Sequence, residues 1–219
     1  MAQVQVGKKE QFGFRAGLEQ AVSKIRSRDA GHRAGIALLF IMQSTTIGET
    51  ERHMTPHELA AIIDDGKAHA PDPSQVEALE TLIGAKLPSD YRAFLMMTPG
   101  GRPRGRVVFS LAGEDIGTER LQRVAGLRSE DEFSLEERHR TASDCDIPDG
   151  LLSIMTDVGG NNIAIAIRPD RLGEIFFLDH EVSGGEGRVS LERAESDDWG
   201  YAIRFASSFT EMVGGFKIA

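Results

Sequence analysis

The 219-residue chain has a single cysteine, Cys145. That excludes an internal disulfide and a multi-thiolate zinc site, and it suits a reducing compartment. Positive charge is also scarce: 25 lysines and arginines stand against 34 acids, for a formal net charge of −9. This balance argues against nucleic acid as a partner, because phosphate binding needs a basic surface. It suits solubility or a cationic partner. Long apolar runs are missing as well. The strongest, "AGIALLFIM" at 34–42, falls far short of the roughly 20 residues that cross a hydrocarbon core. It also lies behind Arg26, Arg28, Asp29 and Arg33, too far along the chain for a secretory signal. A buried helix or strand is expected there, and the chain reads as cytoplasmic with no membrane partner.

Catalytic signatures are absent too. Cys145 sits in "TASDCDIPDG", where flanking acids oppose thiolate formation, so it reads as a loop thiol and not a nucleophile. His180 lies between Asp179 and Glu181. Adjacent strand residues point to opposite faces, so this triplet cannot chelate a metal together. "GGNN" (159–162) and "SGGEG" (183–187) have neither GxGxxG nor GxxxxGK spacing and carry no lysine. They read as turns, not phosphate cradles. His57, His69 and His139 lie in polar surroundings, and the many acids show no recognisable paired spacing. No cofactor or metal is expected, and a binding protein is favoured over an enzyme.

What is present is unevenly charged. Residues 1–53 hold 8 lysines and arginines against 5 acids, whereas residues 54–219 hold 17 against 29. With the Pro-rich connector "DDGKAHAPDPS" at 64–74, this divides the chain into an N-terminal extension and linker (1–70) and a domain (71–219). The first piece is either an accessory segment or an extension outside the functional fold. Met54 opens "MTPHELAAIIDDG", whose Thr-Pro-x-Glu start predicts an N-cap with proline at the first helical position.

Further on, "SQVEALETLIGA" (74–85) predicts a helix with Ser74 as N-cap and Glu77 completing a capping box. "LPSDYRAFLMMTPGG" (87–101) predicts a second, short helix. It has Pro88 at its first position, Tyr91, Phe94, Leu95 and Thr98 on one stripe, and an exit through Gly100-Gly101. "RVVFSLAG" (106–113) reads as a strand, and residues 118–140 as helical with a break near Ser129. "LLSIMTDV" (151–158), "NIAIAIR" (162–168) and "GEIFFLDH" (173–180) read as three strands. The turns "GGNN" and "RPDRLG" between them imply an antiparallel meander. A last helix is expected over roughly 201–213. Helices at both ends of a meander make an α+β domain with an antiparallel or mixed sheet.

These pieces stand in a familiar order. "ALETLIGAKLPSDYRAFLMMTPGG" is followed by "IPDGLLSIMTDVGGNNIAIAI", then "GEIFFLDHE", then "FASSFTEMV". Over about residues 74–214 the chain resembles the SUKH superfamily, which includes the yeast cell-wall-synthesis regulator and many bacterial immunity proteins. Leu87, Pro88, Tyr91, Phe94, Leu95, Gly100, Gly101, Gly159, Gly160 and Asn161 carry the structural motif. "TPGG" stands where the family often has Asn before the glycines, and Phe177-Leu178 where it often has Trp.

The resemblance implies a SUKH-like α+β scaffold that binds a protein, typically a bacterial polymorphic toxin, often a nuclease. Nucleases are commonly basic because they grip phosphates, so an acidic inhibitor can be steered to them. Expected contacts are acids around the hairpin ends: Asp157, Asp170, Glu174, Asp179, Glu181 and Glu186. A regulatory interaction module unlinked to toxins is the alternative, and an enzyme the third reading.

Overall fold

Thr55-Pro56-His57-Glu58 opens the first helix as its chemistry dictates. The Thr55 hydroxyl accepts from the Glu58 N–H at 3.2 Å, and the Glu58 carboxylate accepts from the Thr55 N–H at 2.9 Å. This capping box starts α1 (Pro56–Ile62), which buries Leu59 and Ala60. The computed structural model describes residues 53–64, 71–111, 117–127, 133–183, 187, 189–196 and 200–219. All of them fall in one unit, His53–Ala219. Its core takes in Met54, Leu59 and Ala60, which precede the boundary expected at residue 71. The "AGIALLFIM" segment lies outside the described residues.

After a short strand β1 (Ile63–Asp64), helix α2 (Pro73–Ile83) begins two positions earlier than its sequence reading. Asp72, not Ser74, is the N-cap, and Gln75, not Glu77, closes the capping box. Pro73 decides this, because its ring suits the first helical position and needs no N–H partner there. Glu80, near the end of α2, is 5% exposed. It accepts from the Lys86 ammonium at 2.6 Å and the Leu87 N–H at 3.1 Å. Burial pulls its carboxyl up, but Lys86, Leu87 and Arg92 outweigh that and hold it below the ordinary value. The acid thus clamps α2 to the start of the next helix.

Helix α3 (Ser89–Leu95) has Pro88 as its N-cap, so it starts one position later than expected, and Tyr91, Phe94 and Leu95 are fully buried. Both aromatic rings meet Phe209, at centroid distances of 5.1 and 4.7 Å. Thr98 lies beyond the helix, yet it is buried and its hydroxyl accepts from the Gly100 N–H at 3.3 Å. A Cβ on Gly100 would lie 2.6 Å from the Gly126 backbone, and its φ is +88°. Only glycine permits that approach. The Pro-Gly-Gly exit therefore passes backbone to backbone along the sheet, where Gly101 and Val124 exchange hydrogen bonds of 2.9 and 2.8 Å.

Strand β2 (Arg102–Pro103) pairs with β1. The main sheet comprises β3 (Val107–Ser110), β4 (Thr118–Val124), β5 (Leu151–Asp157), β6 (Asn162–Ala166), β7 (Ile175–Leu178), β8 (Ala202–Ala206) and β9 (Lys217–Ile218). Its order is β8-β7-β6-β5-β4-β3-β9, with every pair antiparallel. Phe109 of β3 lies 5.4 Å from Phe205 of β8, ring to ring, although four strands separate them. The sheet is therefore curled. Helices α4 (Leu135–Arg140), α5 (Leu191–Ala194) and α6 (Phe209–Gly214) complete the α+β fold.

Two expectations give way here. Residues 118–124 are strand β4, not helix, because pairing with β3 and β5 overrides the helix propensity of Glu, Arg and Gln. Residues 202–206 are strand β8, not the start of the last helix. Phe205 and Phe209 sit four apart and mimic a helical stripe, but Ser208 caps a new helix between them.

Both faces of the central strands are buried. Ile163, Ile165 and Ile167 join the core beneath α1, α2, α3 and α6. The intervening Ala164 and Ala166 join a second core with Ile147, Leu191 and Tyr201. Small side chains on that face let α5 and the 142–147 segment approach closely. The sheet consequently exposes its ends more than its faces.

Candidate functional site

The meander sends the acids expected around the hairpins to two opposite ends of the sheet. Asn162 of β6 pairs with Thr156 of β5 and Leu178 of β7, so the turns at 158–161 and 179–183 share one end. Ile165 pairs with Ile175, so the 167–174 turn lies at the other.

At the 167–174 end the carboxylates are engaged within the chain. Asp170 accepts from Arg168 at 2.8 Å, and Arg168 also reaches Glu192 at 2.7 Å. The Arg168 hydrogen bond holds the Asp170 carboxyl below its usual value. Glu174 meets Arg171 at 2.7 Å and Arg204 at 3.3 Å, and Arg171 continues to Glu195. Asp170 and Glu174 are thus engaged in internal pairs with arginines.

The opposite end is built differently. Asp157 is fully buried, which corrects its expected place among the exposed acids of the hairpin ends. Its two oxygens accept from the Asn161 backbone N–H and side-chain amide, both at 2.8 Å. Asn161 Oδ1 in turn accepts from the His180 N–H at 3.1 Å and from His180 Nδ1 at 2.8 Å. Because Oδ1 cannot donate, Nδ1 carries the hydrogen. Gly160 has a φ of +99°, and a Cβ there would sit 3.4 Å from the imidazole. The Gly-Gly-Asn turn is therefore shaped to lock β5 to the end of β7.

Around this lock stand groups open to solvent. Gly159, Gly160, His180 and Glu181 are exposed, as are the apolar Val158 and Val182 at 47% and 48%. Asp179, half-buried, accepts from the Glu181 N–H at 2.9 Å. Glu186 lies outside the described residues.

Sequence reasoning missed Glu119. It lies on β4 across from Phe109, two residues before Leu121, which pairs with Asp157. Burial against the core, then the Asp157 contact, then the charge of Asp179, hold its pKa above the ordinary glutamate value. Reading 118–124 as helix hid this neighbour.

Among the described residues no ion pair reaches Glu119, Asp157, Asp179 or Glu181. No group of three His, Cys, Asp or Glu residues is arranged there to hold a metal. Cys145 is exposed. A cleft of about 340 Å³ between α2 and α4 is lined mainly by Leu79, Leu82, Leu127 and Leu135. Its lining supplies no nucleophile and no general base beyond Glu136. Among the described residues no helix is long and apolar enough to cross a membrane.

The description "SMI1 / KNR4 family (SUKH-1)" belongs to a family model that matches residues 70–215. The chain belongs to that family. No curated protein matches it. The SUKH-1 match runs from just before α2 to the end of α6, so it contains strands β2 to β8 and the turns at both ends of the meander. SUKH domains are in general protein-interaction domains and not catalysts.

Proposed function

We propose that this SUKH-1 protein is an immunity protein that binds a basic toxin domain, such as a nuclease, in the cytoplasm. It does so through the sheet end formed by Glu119, Val158, Asp179 and Glu181. One observation carries the reading. Among the described residues, this end presents carboxylates that form no ion pair, beside exposed valines, while the opposite end pairs its acids with arginines. Unpaired surface charge speeds encounter with a cationic partner, and adjacent apolar groups hold the complex once formed. The 29 acids against 17 basic residues in 54–219 extend the attraction beyond contact range. We further propose that the binding unit begins near Met54, because α1 contributes to the core.

The test is a pull-down with the full chain in its native host, with partners identified by mass spectrometry. A basic toxin domain whose activity the protein abolishes supports the proposal. A basic non-toxin partner assigns the regulatory role instead, and an acidic partner overturns the charge argument.

A further inference from the structure

Arg104, Arg140, Arg168 and Arg171 each meet a carboxylate, whereas Arg138 of α4 meets none among the described residues. Arg138 is half-buried over β5 and β6, and its hydrogen bonds go to neutral groups. Its Nε and Nη2 both donate to the Ser153 hydroxyl at 2.9 Å, and Nη2 also donates to Asn162 Oδ1. Ser153 and Asn162 therefore fix the guanidinium plane, while Nη1 donates to none of the described residues. Phe133 packs against it, its ring centroid 5.9 Å from the Arg138 guanidinium carbon and 4.1 Å from that of Arg123 on β4.

The sheet register adds a hydroxyl to this group. Thr156 of β5 pairs with Arg123 of β4 on one side and with Asn162 of β6 on the other, so the three side chains share one face. Directly paired residues hold their Cβ atoms roughly 5 Å apart, which sets Thr156 beside the amide that Arg138 grips. Thr156 is 8% exposed, yet its Oγ1 forms no hydrogen bond. Burial, opposed by Cys145 and reinforced by the charge of Arg123, holds the Arg138 pKa below the ordinary arginine value. A half-buried cation without an anion and a buried hydroxyl without a partner both cost the free protein stability. One oxyanion would satisfy both.

We propose that Arg138 and Thr156 form a carboxylate-binding site walled by Phe133 and Arg123. Arg138 Nη1 and Thr156 Oγ1 supply one donor to each of the two carboxylate oxygens. A phosphate would leave further oxygens unmet. Ser153 and Asn162 are positioning residues that hold the guanidinium in place. The carboxylate comes from a small acid in solution or from an Asp or Glu side chain of a bound protein. The site lies on the sheet face of Ala164 and Ala166 and does not depend on the proposed toxin-binding end.

The experiment titrates the full chain with sodium acetate, with N-acetyl-aspartate N-methylamide, and with sodium chloride at matched ionic strength. The Arg138 Nε–H resonance, the Thr156 amide resonance and the thermal midpoint are followed. Acetate should move both resonances along a saturating curve and raise the midpoint, and chloride should do neither. Thr156→Val should raise the midpoint in chloride, because it removes an unpaired hydroxyl, and should weaken acetate binding at least fivefold. Arg138→Lys keeps the charge but loses the fork, and should weaken it at least tenfold. Saturation by the blocked aspartate as well assigns the site to a protein's acidic side chain, and saturation by acetate alone assigns it to a small acid. Equal shifts in acetate and chloride overturn the proposal. So does acetate affinity unchanged in Thr156→Val, or a response confined to Arg168 and Arg171.

Discussion

At the 167–174 end of the sheet, Arg168 holds Asp170 and Glu192, and Arg171 and Arg204 hold Glu174 and Glu195, in two sets of ion pairs. At the 157–161 end, Glu119, Asp157 and Asp179 crowd together and are met by an asparagine and backbone N–H groups instead. The two ends draw on the same residue types. They differ in whether the acids form ion pairs among the described residues. Acid content alone therefore does not mark a binding surface; what marks it is charge that the fold leaves unbalanced.

Substitutions can break or sharpen this contrast. Phe94→Ala removes a fully buried ring from the floor common to both ends and should cost roughly 3–5 kcal/mol. Chemical denaturation reads it, and an unchanged midpoint would remove α3 from the core. Asp157→Ala strips two charge-assisted hydrogen bonds from Asn161. At about 1.5–3 kcal/mol for a hydrogen bond to a charged group, offset by relief of Glu119, it should lose about 2 kcal/mol. It should also release His180, seen as a displaced imidazole resonance.

Glu119→Gln should act in the opposite direction. Glu119 has a raised folded pKa, so protonation favours the native state and its penalty is complete only above that pKa. The variant should therefore be more stable than the parent at pH 7, by under about 1 kcal/mol, the scale of a cross-strand like-charge contact. The difference should vanish as pH falls below the ordinary carboxylate range. A loss of stability at pH 7 would show that the carboxylate is compensated after all. Asp170→Asn should do least. It breaks an exposed pair with Arg168, a kind of contact that contributes little to stability, and it should leave partner association unchanged.

Much of this was legible in the residues. The α1 capping box, the buried stripe of α3, and the three central strands follow from spacing, capping chemistry and β-branched content. The hairpin turn was legible too, since Gly159-Gly160-Asn161 permits the conformation it adopts. Strands β4 and β8 were not. β4 is rich in Glu, Arg and Gln and becomes a strand only through partners distant in sequence. β8 hid behind the four-residue spacing of Phe205 and Phe209. The site suffered for it, because Glu119 could not be placed beside Asp157 while it was read as helical. Nor does sequence show that Asp170 and Glu174 find arginines while Asp179 and Glu181 do not. That sorting depends on which end of the meander each turn reaches.

The central claim is that the two ends differ in what they offer a partner, and association kinetics test it most directly. With the partner from the pull-down, association rates would be measured for the full chain, for Asp179→Asn/Glu181→Gln and for Asp170→Asn/Glu174→Gln. Ionic strength would run from 0.01 to 0.15 M, over which the Debye length shrinks from about 30 Å to about 8 Å. The account predicts a steep fall in rate for the parent chain, with dissociation changing much less. The Asp179/Glu181 pair should start slower and flatten the salt dependence, while the Asp170/Glu174 pair should follow the parent. Equal loss from both pairs, or a parent rate indifferent to salt, would contradict it.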